Sequence, residues 1–171
     1  MEMLLKIWIV IISFINIVPL FLIAQNSPKD YLKIHNDERV EVGVKSLKWD
    51  PKLASLARKF VKKHIFDCKK GFYDTTFTDK KHGRSSAYHQ GSLSGVDAVN
   101  AWLMQKTNYD YKSNTCIDGT FNCIYYAQII WDETTFLGCA KVKCRNYGGT
   151  LVTCFYDSPC HLLDQSPFII H

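Results

Sequence analysis

The main candidates for chemistry in this 171-residue chain are its seven cysteines, and all of them lie beyond residue 24. No two form a C-x-x-C pair, and the Cys116/Cys123 and Cys139/Cys144 spacings do not match the tight knuckles of a structural zinc site. So many cysteines are typical of an oxidising compartment, where thiols pair. The sequence therefore predicts disulfides, with one thiol left over.

The other reactive side chains do not combine a nucleophile with an activating base. Cys160 and His161 are adjacent, but neighbours on an extended tail point apart, which favours an unpaired tail thiol. His64 closes the apolar stripe of a helix, so we interpret it as a packing residue. We predict no enzymatic activity and no cofactor. A secreted protease or small nuclease is the alternative, and it needs a cleft with two titratable groups at hydrogen-bond distance.

The basic residues are scattered as short pairs. The formal net charge is +5, and Lys62-Lys63, Lys69-Lys70 and Lys80-Lys81 are interpreted as solvated faces. Such an excess suits an acidic wall polymer, an anionic lipid surface or nucleic acid. No dense basic stripe with interleaved aromatic residues is present, so we expect no nucleic-acid partner.

Two helices near the start of the chain are predicted from their caps. Ser27-Pro28-Lys29-Asp30 supplies an N-cap residue, a proline at the first helical position and an acid three residues after the cap, and Gly43 ends this helix. A second helix begins at Asp50-Pro51, because apolar residues recur on one face from Leu53 to His64. The opposite face of the second helix carries basic residues, as a surface helix should.

Further along, the pattern changes from helices to strands. Residues 69–93 lack periodicity and are predicted to form a long loop. A third helix follows from Ser94-Gly95 to near Asn108. Segments 140–143 and 151–155 are rich in β-formers on either side of a Gly-rich turn, and they predict an antiparallel hairpin. Helices first and strands later indicate one α+β domain.

The chain begins with an apolar run from Ile7 to Ala24 that is typical of a secretory signal peptide. An uncleaved signal anchor is the alternative. The predicted organisation is a signal peptide at 1–24, one domain at 25–157 and a tail at 158–171. We expect no membrane span once the signal peptide has been removed.

Several segments, in this order and spacing, resemble the CAP superfamily of cysteine-rich secretory, antigen 5 and pathogenesis-related class 1 proteins, and in particular its plant members. They are Gln25-Asn26-Ser27-Pro28, His35-Asn36-Asp37-Glu38-Arg39, Leu47-Lys48-Trp49-Asp50, Asp67-Cys68, Asn108-Tyr109-Asp110-Tyr111, Gln128-Ile129-Ile130-Trp131, Leu137-Gly138-Cys139 and Cys154-Phe155-Tyr156-Asp157. The resemblance implies a three-layer α-β-α sandwich with a central antiparallel sheet. It also implies an extracellular, apoplastic location and a role in plant defence or stress.

The same resemblance implies a disulfide pattern. By cysteine order, the implied pairs are Cys68–Cys139, Cys116–Cys123 and Cys144–Cys154. Cys160 has no family counterpart, so we expect a monomer with one free thiol or a dimer linked through Cys160.

Typical CAP members line a central cleft with two His and two Glu that can hold a divalent metal. The aligned positions are occupied here by Phe72, Arg84, Gln105 and Tyr125. The position of the first family His aligns equally well with Phe72 and with Tyr73. These residues are poor zinc ligands, and Arg84 repels cations, so the ligand set is expected to be degenerate, with no metal. His82 and His89 are the alternative ligands.

Some relatives bind sterols or lipids through the loop aligned with residues 109–125. Aromatic side chains suited to an apolar ligand occur in and next to that segment here: Tyr109, Tyr111, Phe121, Tyr125 and Tyr126. We expect a sterol, another lipid or a pathogen surface component as partner. The alternative is that these rings simply pack beside the Cys116–Cys123 loop.

Family members also resemble precursors of a C-terminal defence peptide. Phe155, Cys160 and His161 depart from that pattern, so a peptide released near Ser158 is kept as an alternative function.

Overall fold

The computed structural model describes residues 26–74, 81–117, 119–146 and 148–162. The predicted signal peptide and the last nine residues of the tail lie outside these ranges. The helices are α1 (Pro28–Glu41), α2 (Pro51–Lys63), α3 (Cys68–Tyr73), α4 (Gly95–Leu103), a 3₁₀ turn (Met104–Asn108) and α5 (Ile124–Ile130). The strands are β1 (Lys48–Trp49), β2 (Gly83–His89), β3 (Tyr109–Asp110), β4 (Thr115–Cys116), β5 (Phe136–Lys143) and β6 (Thr150–Asp157).

A four-stranded sheet with the order β1-β5-β6-β2 forms the centre of the fold. The β5–β6 hairpin is the one predicted from the sequence, and β2 extends it on the antiparallel side. The two-residue edge strand β1 pairs with β5 in parallel, so the sheet is mixed rather than wholly antiparallel. The predicted α+β sandwich is confirmed with this one change.

Both faces of the sheet are covered by helices, and β6 shows this most clearly. Val152, Cys154 and Tyr156 face the core formed with α1, α4 and α5. The alternate residues Leu151 and Phe155 face a second core formed with α2 and α3. Because successive side chains of a strand point to opposite faces, one strand takes part in both cores.

The two predicted helix starts are confirmed. Ser27 and Asp30 form a reciprocal capping box, and Asp50 accepts the backbone N–H groups of Lys52 and Leu53. Gly43 follows the end of α1 with φ at +78°, a conformation that glycine adopts without a steric penalty. Local cap chemistry therefore determined these elements.

The predicted loop at 69–93 is wrong in two segments, and its residues 75–80 lie outside the described ranges. Residues 68–73 form α3, and Gly83–His89 forms a seven-residue strand paired with β6. Ser85 and Ser86 are buried in that strand, so both sides are covered and no polar-apolar alternation marks it. The sheet partner, rather than local propensity, determines its structure.

Two further differences concern short helices. The third predicted helix ends at Leu103 and continues only as the 3₁₀ turn. Helix α5 was not predicted, because Cys123 at its N-cap makes no side-chain capping bond and five of its seven residues are buried. Neither a cap nor an amphipathic stripe marks it.

Three disulfides staple the fold, and the predicted partners are partly wrong. The six predicted half-cystines all pair, Cys160 is free, and the Cys116–Cys123 bridge is confirmed. The other two bridges are Cys68–Cys144 and Cys139–Cys154, not Cys68–Cys139 and Cys144–Cys154.

The hairpin register explains this correction. Cys139 and Cys154 are directly opposite each other on β5 and β6, with Cα atoms 4.0 Å apart. Cys144 lies just beyond β5, where the next residue donates its N–H to the Ile65 carbonyl at 2.8 Å and so brings Cys144 to Cys68. Register is a property of strand pairing that cysteine order does not contain.

Candidate functional site

The four positions aligned with the family's metal ligands do not form a single set of converging donors. Gln105 accepts the backbone N–H of Tyr125 through Oε1 at 3.0 Å. The Tyr125 ring packs against Trp102, with ring centroids 6.1 Å apart. Arg84 on β2 is electrostatically coupled to Tyr125, whereas Phe72 on α3 packs into the core beneath α2. Gln105 and Tyr125 therefore meet, whereas Arg84 packs on Phe60 in the core beneath α2, the core to which Phe72 belongs.

The guanidinium of Arg84 is held by internal contacts. Its Cζ lies 4.5 Å from the ring centroid of Phe60, and Nη2 donates to the Asp74 backbone carbonyl. Burial lowers the pKa of Arg84, while Tyr125 and Asp74 oppose that shift. Nη1 is buried without a hydrogen-bond partner among the described residues. A cation is thus built into the cleft where the resemblance implies a carboxylate.

This donor set does not fit a divalent metal. The Gln105 oxygen is occupied, and burial raises the pKa of Tyr125, which keeps its phenol protonated. His82 and His89 lie at opposite ends of β2, about 23 Å apart along the strand, so they cannot share one ion. Among the described residues, no group of three or more His, Cys, Asp or Glu side chains is arranged to hold a metal.

A compact tyrosine cluster lies elsewhere, where β3 meets α5. Tyr109 and Tyr111 make an edge-to-face contact with centroids 5.0 Å apart, and Tyr126 lies 5.6 Å from Tyr109. Tyr126 is fully buried, whereas Tyr111 is 52% exposed. The cluster therefore connects the core to the surface.

Hydrogen bonds fix the orientation of these rings. The Tyr126 hydroxyl donates to Glu38 Oε1 at 2.7 Å and accepts from the Tyr111 hydroxyl. Lys106 Nζ lies 3.0 Å from the same Glu38 oxygen and 2.9 Å from Glu41 Oε1. Burial, together with these hydrogen bonds, raises the pKa of Tyr126. The phenol of Tyr126 thus stays neutral, and the hydrogen bonds hold both rings in place.

Beside the cluster is an open groove of about 380 Å³, here called the tyrosine groove. Its lining comprises Val42, Val44, Tyr109, Tyr111, Asn114, Ile130, Trp131, Asp132 and Glu133. The valines and Ile130 were not among the residues predicted from the sequence. One pattern in the sequence could have pointed to the valines. Val42 and Val44 flank Gly43, where the helix ends, so neither belongs to the apolar face of a helix.

The five predicted lipid-contact residues are thus divided. Tyr109 and Tyr111 line the tyrosine groove, and Tyr126 supports Tyr111 from behind. Tyr125 faces Trp102 and Arg84 instead. Phe121 is 41% exposed and does not line this groove.

The first residues of the tail are hydrogen-bonded to the domain rather than extended away from it. The Cys160 N–H donates to Gln128 Oε1 at 2.9 Å, and Gln128 Nε2 donates to the Ser158 carbonyl at 3.2 Å. Burial raises the pKa of the Cys160 thiol to about 12, so little thiolate forms at neutral pH. The His161 ring packs edge-on against Trp131. The unpaired thiol is confirmed, but the expected extended tail is wrong: Cys160 is half-buried against the domain and weakly reactive, which argues against a Cys160-linked dimer.

His64 is buried as expected but has an ionic partner. Its Nε2 lies 2.9 Å from Asp74 Oδ2, and both side chains are 7% exposed. The ring also packs against Phe60, with centroids 4.8 Å apart. Burial lowers the pKa of His64, and Asp74 opposes that shift.

Comparison with known proteins agrees with this architecture. The model of the cysteine-rich secretory protein family, CAP, matches residues 32–156. Pathogenesis-related protein 1 of Arabidopsis thaliana is 39% identical over 145 residues, covering 85% of this chain and 84% of the relative. Pathogenesis-related protein 1B of Nicotiana tabacum is 38% identical, covering 85% of this chain and 83% of the relative.

Among solved structures, Schistosoma mansoni venom allergen-like protein 4 superimposes with a TM-score of 0.59 at 23% identity, covering 81% of this chain and 94% of that one. At this identity the likeness concerns the fold alone. Within the described ranges, no helix is long and apolar enough to cross a bilayer. The matched family model and the plant relatives together show that the chain belongs to the CAP family, on its pathogenesis-related protein 1 branch.

Proposed function

We propose that this chain is a secreted, apoplastic defence protein that binds a sterol, or a similar apolar molecule with one hydroxyl, in the tyrosine groove. Its family is a plant defence family generally without established enzymatic activity. Three disulfides suit an oxidising, extracellular compartment. The observation that carries the proposal is the groove itself, a concave surface lined by aliphatic and aromatic side chains beside ordered tyrosines.

The groove has the dimensions and chemistry of a small-ligand site. Its volume of about 380 Å³ lies within the range of such pockets, which combine mostly apolar walls with a few polar groups. Val44, Ile130 and Trp131 supply apolar wall, while the carboxylates of Asp132 and Glu133 offer hydrogen-bond acceptors for a hydroxyl. A sterol has this combination of a large apolar body and a single polar end.

The hydrolase alternative has one observation in its favour, the His64–Asp74 pair at 2.9 Å. Among the described residues that line the groove beside that pair, there is no Ser, Thr or Cys that His64 would activate. The imidazole is also covered by Phe60 and by Gly71, where even a Cβ atom would lie 2.6 Å from His64 Cβ. The pair is better explained as a packed polar contact.

The peptide-precursor alternative requires cleavage near Ser158. That carbonyl accepts hydrogen bonds from Gln128 and Thr134, and Leu162 is buried in the main core. Proteases act on segments that open readily, and this one is held at several points. A carrier role for the domain therefore has less structural support than ligand binding.

The proposal is tested by titrating purified, disulfide-intact protein with a fluorescent sterol. Tyr111→Ala removes a groove wall and should weaken binding about tenfold or more, because burying an aromatic side chain contributes roughly 1.5–3 kcal/mol. Phe121→Ala is the matched control, since Phe121 is exposed but outside the groove. Equal binding by wild type and Tyr111→Ala would move the site elsewhere.

A further inference from the structure

A second groove, of about 650 Å³, lies between the C-terminal end of α2 and helix α3. It shares no lining residue with the tyrosine groove. Its described side chains are of four kinds: the cations Lys63 and Lys70, the aromatic rings Phe66 and Tyr73, the carboxylates Asp67 and Asp74, and the imidazole of His64. We call this surface the basic groove.

Positive charge is concentrated around the basic groove. Residues 58–74 contain six Lys or Arg and two Asp, so they carry a formal +4 of the chain's +5. Asp74 is 7% exposed and lies 2.9 Å from His64 and 3.8 Å from Lys63, while Asp67 caps α3. Lys63, Lys70 and Asp67 are exposed, so the lining presents two cations and one carboxylate to solvent. One lysine of each of the pairs Lys62-Lys63 and Lys69-Lys70, interpreted from the sequence as solvated faces, lines the basic groove.

Two large aromatic rings stand beside these cations. Phe66 is 55% exposed and Tyr73 is 65% exposed. Arg145 Cζ lies 5.4 Å from the Phe66 ring centroid, and Phe72 contacts Tyr73 edge-on with centroids 4.8 Å apart. These contacts hold both rings in place while leaving much of their surface open.

The backbone of the basic groove is also constrained. The Cys68–Cys144 disulfide ties α3 to the end of β5, and the Arg145 N–H donates to the Ile65 carbonyl at 2.8 Å. The Asp67 N–H donates to the His64 carbonyl at 2.9 Å. A surface fixed in this way loses little conformational entropy when a ligand binds.

We propose that the basic groove binds an acidic polysaccharide built from uronic acid units, a function beyond the sterol site proposed above. Sugar carboxylates pair with Lys63 and Lys70, and the apolar face of a pyranose ring stacks on Phe66 or Tyr73. Sugar hydroxyls donate to carboxylates such as Asp67. The concave shape and these acidic groups suit a chain of sugars better than the flat surface of an anionic bilayer.

The test is calorimetry of the intact disulfide-bonded protein with a homogeneous oligogalacturonide, beside the same oligomer fully methyl-esterified. The acidic oligomer should bind saturably and the esterified oligomer at least about tenfold more weakly. The Lys63→Ala/Lys70→Ala double variant, and separately Tyr73→Ala, should each weaken binding about tenfold or more. Near-ultraviolet circular dichroism confirms that each variant is folded.

The matched control is Lys45→Ala/Lys52→Ala, which removes the same charge from two exposed lysines outside the groove. Retained affinity in this control supports the basic groove. Equal losses in both double variants would overturn the proposal, because binding would then follow net charge alone. Binding to phosphatidylserine vesicles through Lys63 and Lys70, without binding to the oligomer, would also overturn it.

Discussion

The cleft around Arg84 and the tyrosine groove are both places where this fold brings polar and aromatic side chains together, yet they differ in what is left for a ligand. In the cleft, Gln105 is bonded to the Tyr125 backbone and Arg84 stacks on Phe60. In the tyrosine groove, the phenols are also bonded, but the surface is concave and open, with aliphatic and aromatic walls beside two carboxylates.

The four aligned positions contribute to packing on both faces of the sheet. Gln105 and Tyr125 join the 3₁₀ turn, α4 and α5, whereas Arg84 stacks on Phe60 of α2 and Phe72 packs beneath the same helix. Such contacts stabilise the domain. The tyrosine groove leaves apolar surface uncovered, which costs stability unless a ligand covers it.

The largest expected effect concerns the back wall of the tyrosine groove. The fully buried Arg39 donates from Nη1 to the Ile129 and Trp131 carbonyls at 2.8 Å each, and from Nη2 to Thr134 O at 3.1 Å. Arg39→Ala should lower the free energy of unfolding by about 3–5 kcal/mol, because several buried carbonyls lose a charged donor. Urea denaturation measures this loss. A cost below about 1 kcal/mol would show that the wall is held by other contacts.

The second-largest expected effect is a loss of stability in acid. It comes from His35, which is buried in the core. Burial lowers the pKa of His35 to about 4, and the ring lies between Tyr31 O at 2.7 Å and the Tyr156 hydroxyl at 3.0 Å. As the pH falls from about 6.5 to about 4, the unfolded chain gains a proton that the folded chain excludes, so stability drops by about 3 kcal/mol. The lowered pKa of His64 acts in the same direction.

Urea denaturation at several pH values tests this. His35→Asn keeps an amide donor for the Tyr31 carbonyl and should flatten the pH dependence in that window. If the wild-type protein is equally stable at pH 7 and pH 4.5, His35 is not the buried neutral base described here.

A smaller effect distinguishes the cleft from the groove. Gln105→Ala removes the acceptor of the Tyr125 N–H and should cost about 1 kcal/mol of stability. Sterol affinity should be unchanged, because Gln105 does not line the tyrosine groove. Loss of sterol binding in this variant, with folding intact, would place the ligand in the cleft instead.

The smallest expected effect is the heat of binding when zinc is added to the protein. Calorimetry near neutral pH should give no saturable micromolar binding, since the cleft presents a cation, an occupied amide and a protonated phenol. His82→Ala/His89→Ala should behave like the wild type. Micromolar binding that disappears in this variant would show that histidines near β2 have rebuilt a metal site.

The sequence predicted what depends on local chemistry. Caps at Ser27 and Asp50 determined two helices, and β-formers on either side of a Gly-rich turn determined the hairpin. Strand β2 and helix α5 were not predicted, because their structure depends on burial by the rest of the chain. The disulfide partners were not predicted correctly either, because the Cys139–Cys154 bridge follows from the register of two strands.

The site was predicted in part. The aromatic residues Tyr109 and Tyr111 were singled out from the sequence, and both line the tyrosine groove. The opposite wall comes from Val42, Val44 and Ile130, which lie far from them in the chain. Only the packing of α1 against α5 brings these segments together, and no spacing in the sequence contains that information.

The most direct test of the central claim is photo-crosslinking with a sterol that carries a photoreactive group, followed by mapping of the labelled residues by mass spectrometry. The account predicts labels on residues 42–44, 109–111 and 130–133, which line the tyrosine groove. Excess unlabelled sterol should abolish them. Competable labels confined to the peptides that contain Arg84, Gln105 and Tyr125 would contradict the account, because the ligand would then occupy the central cleft.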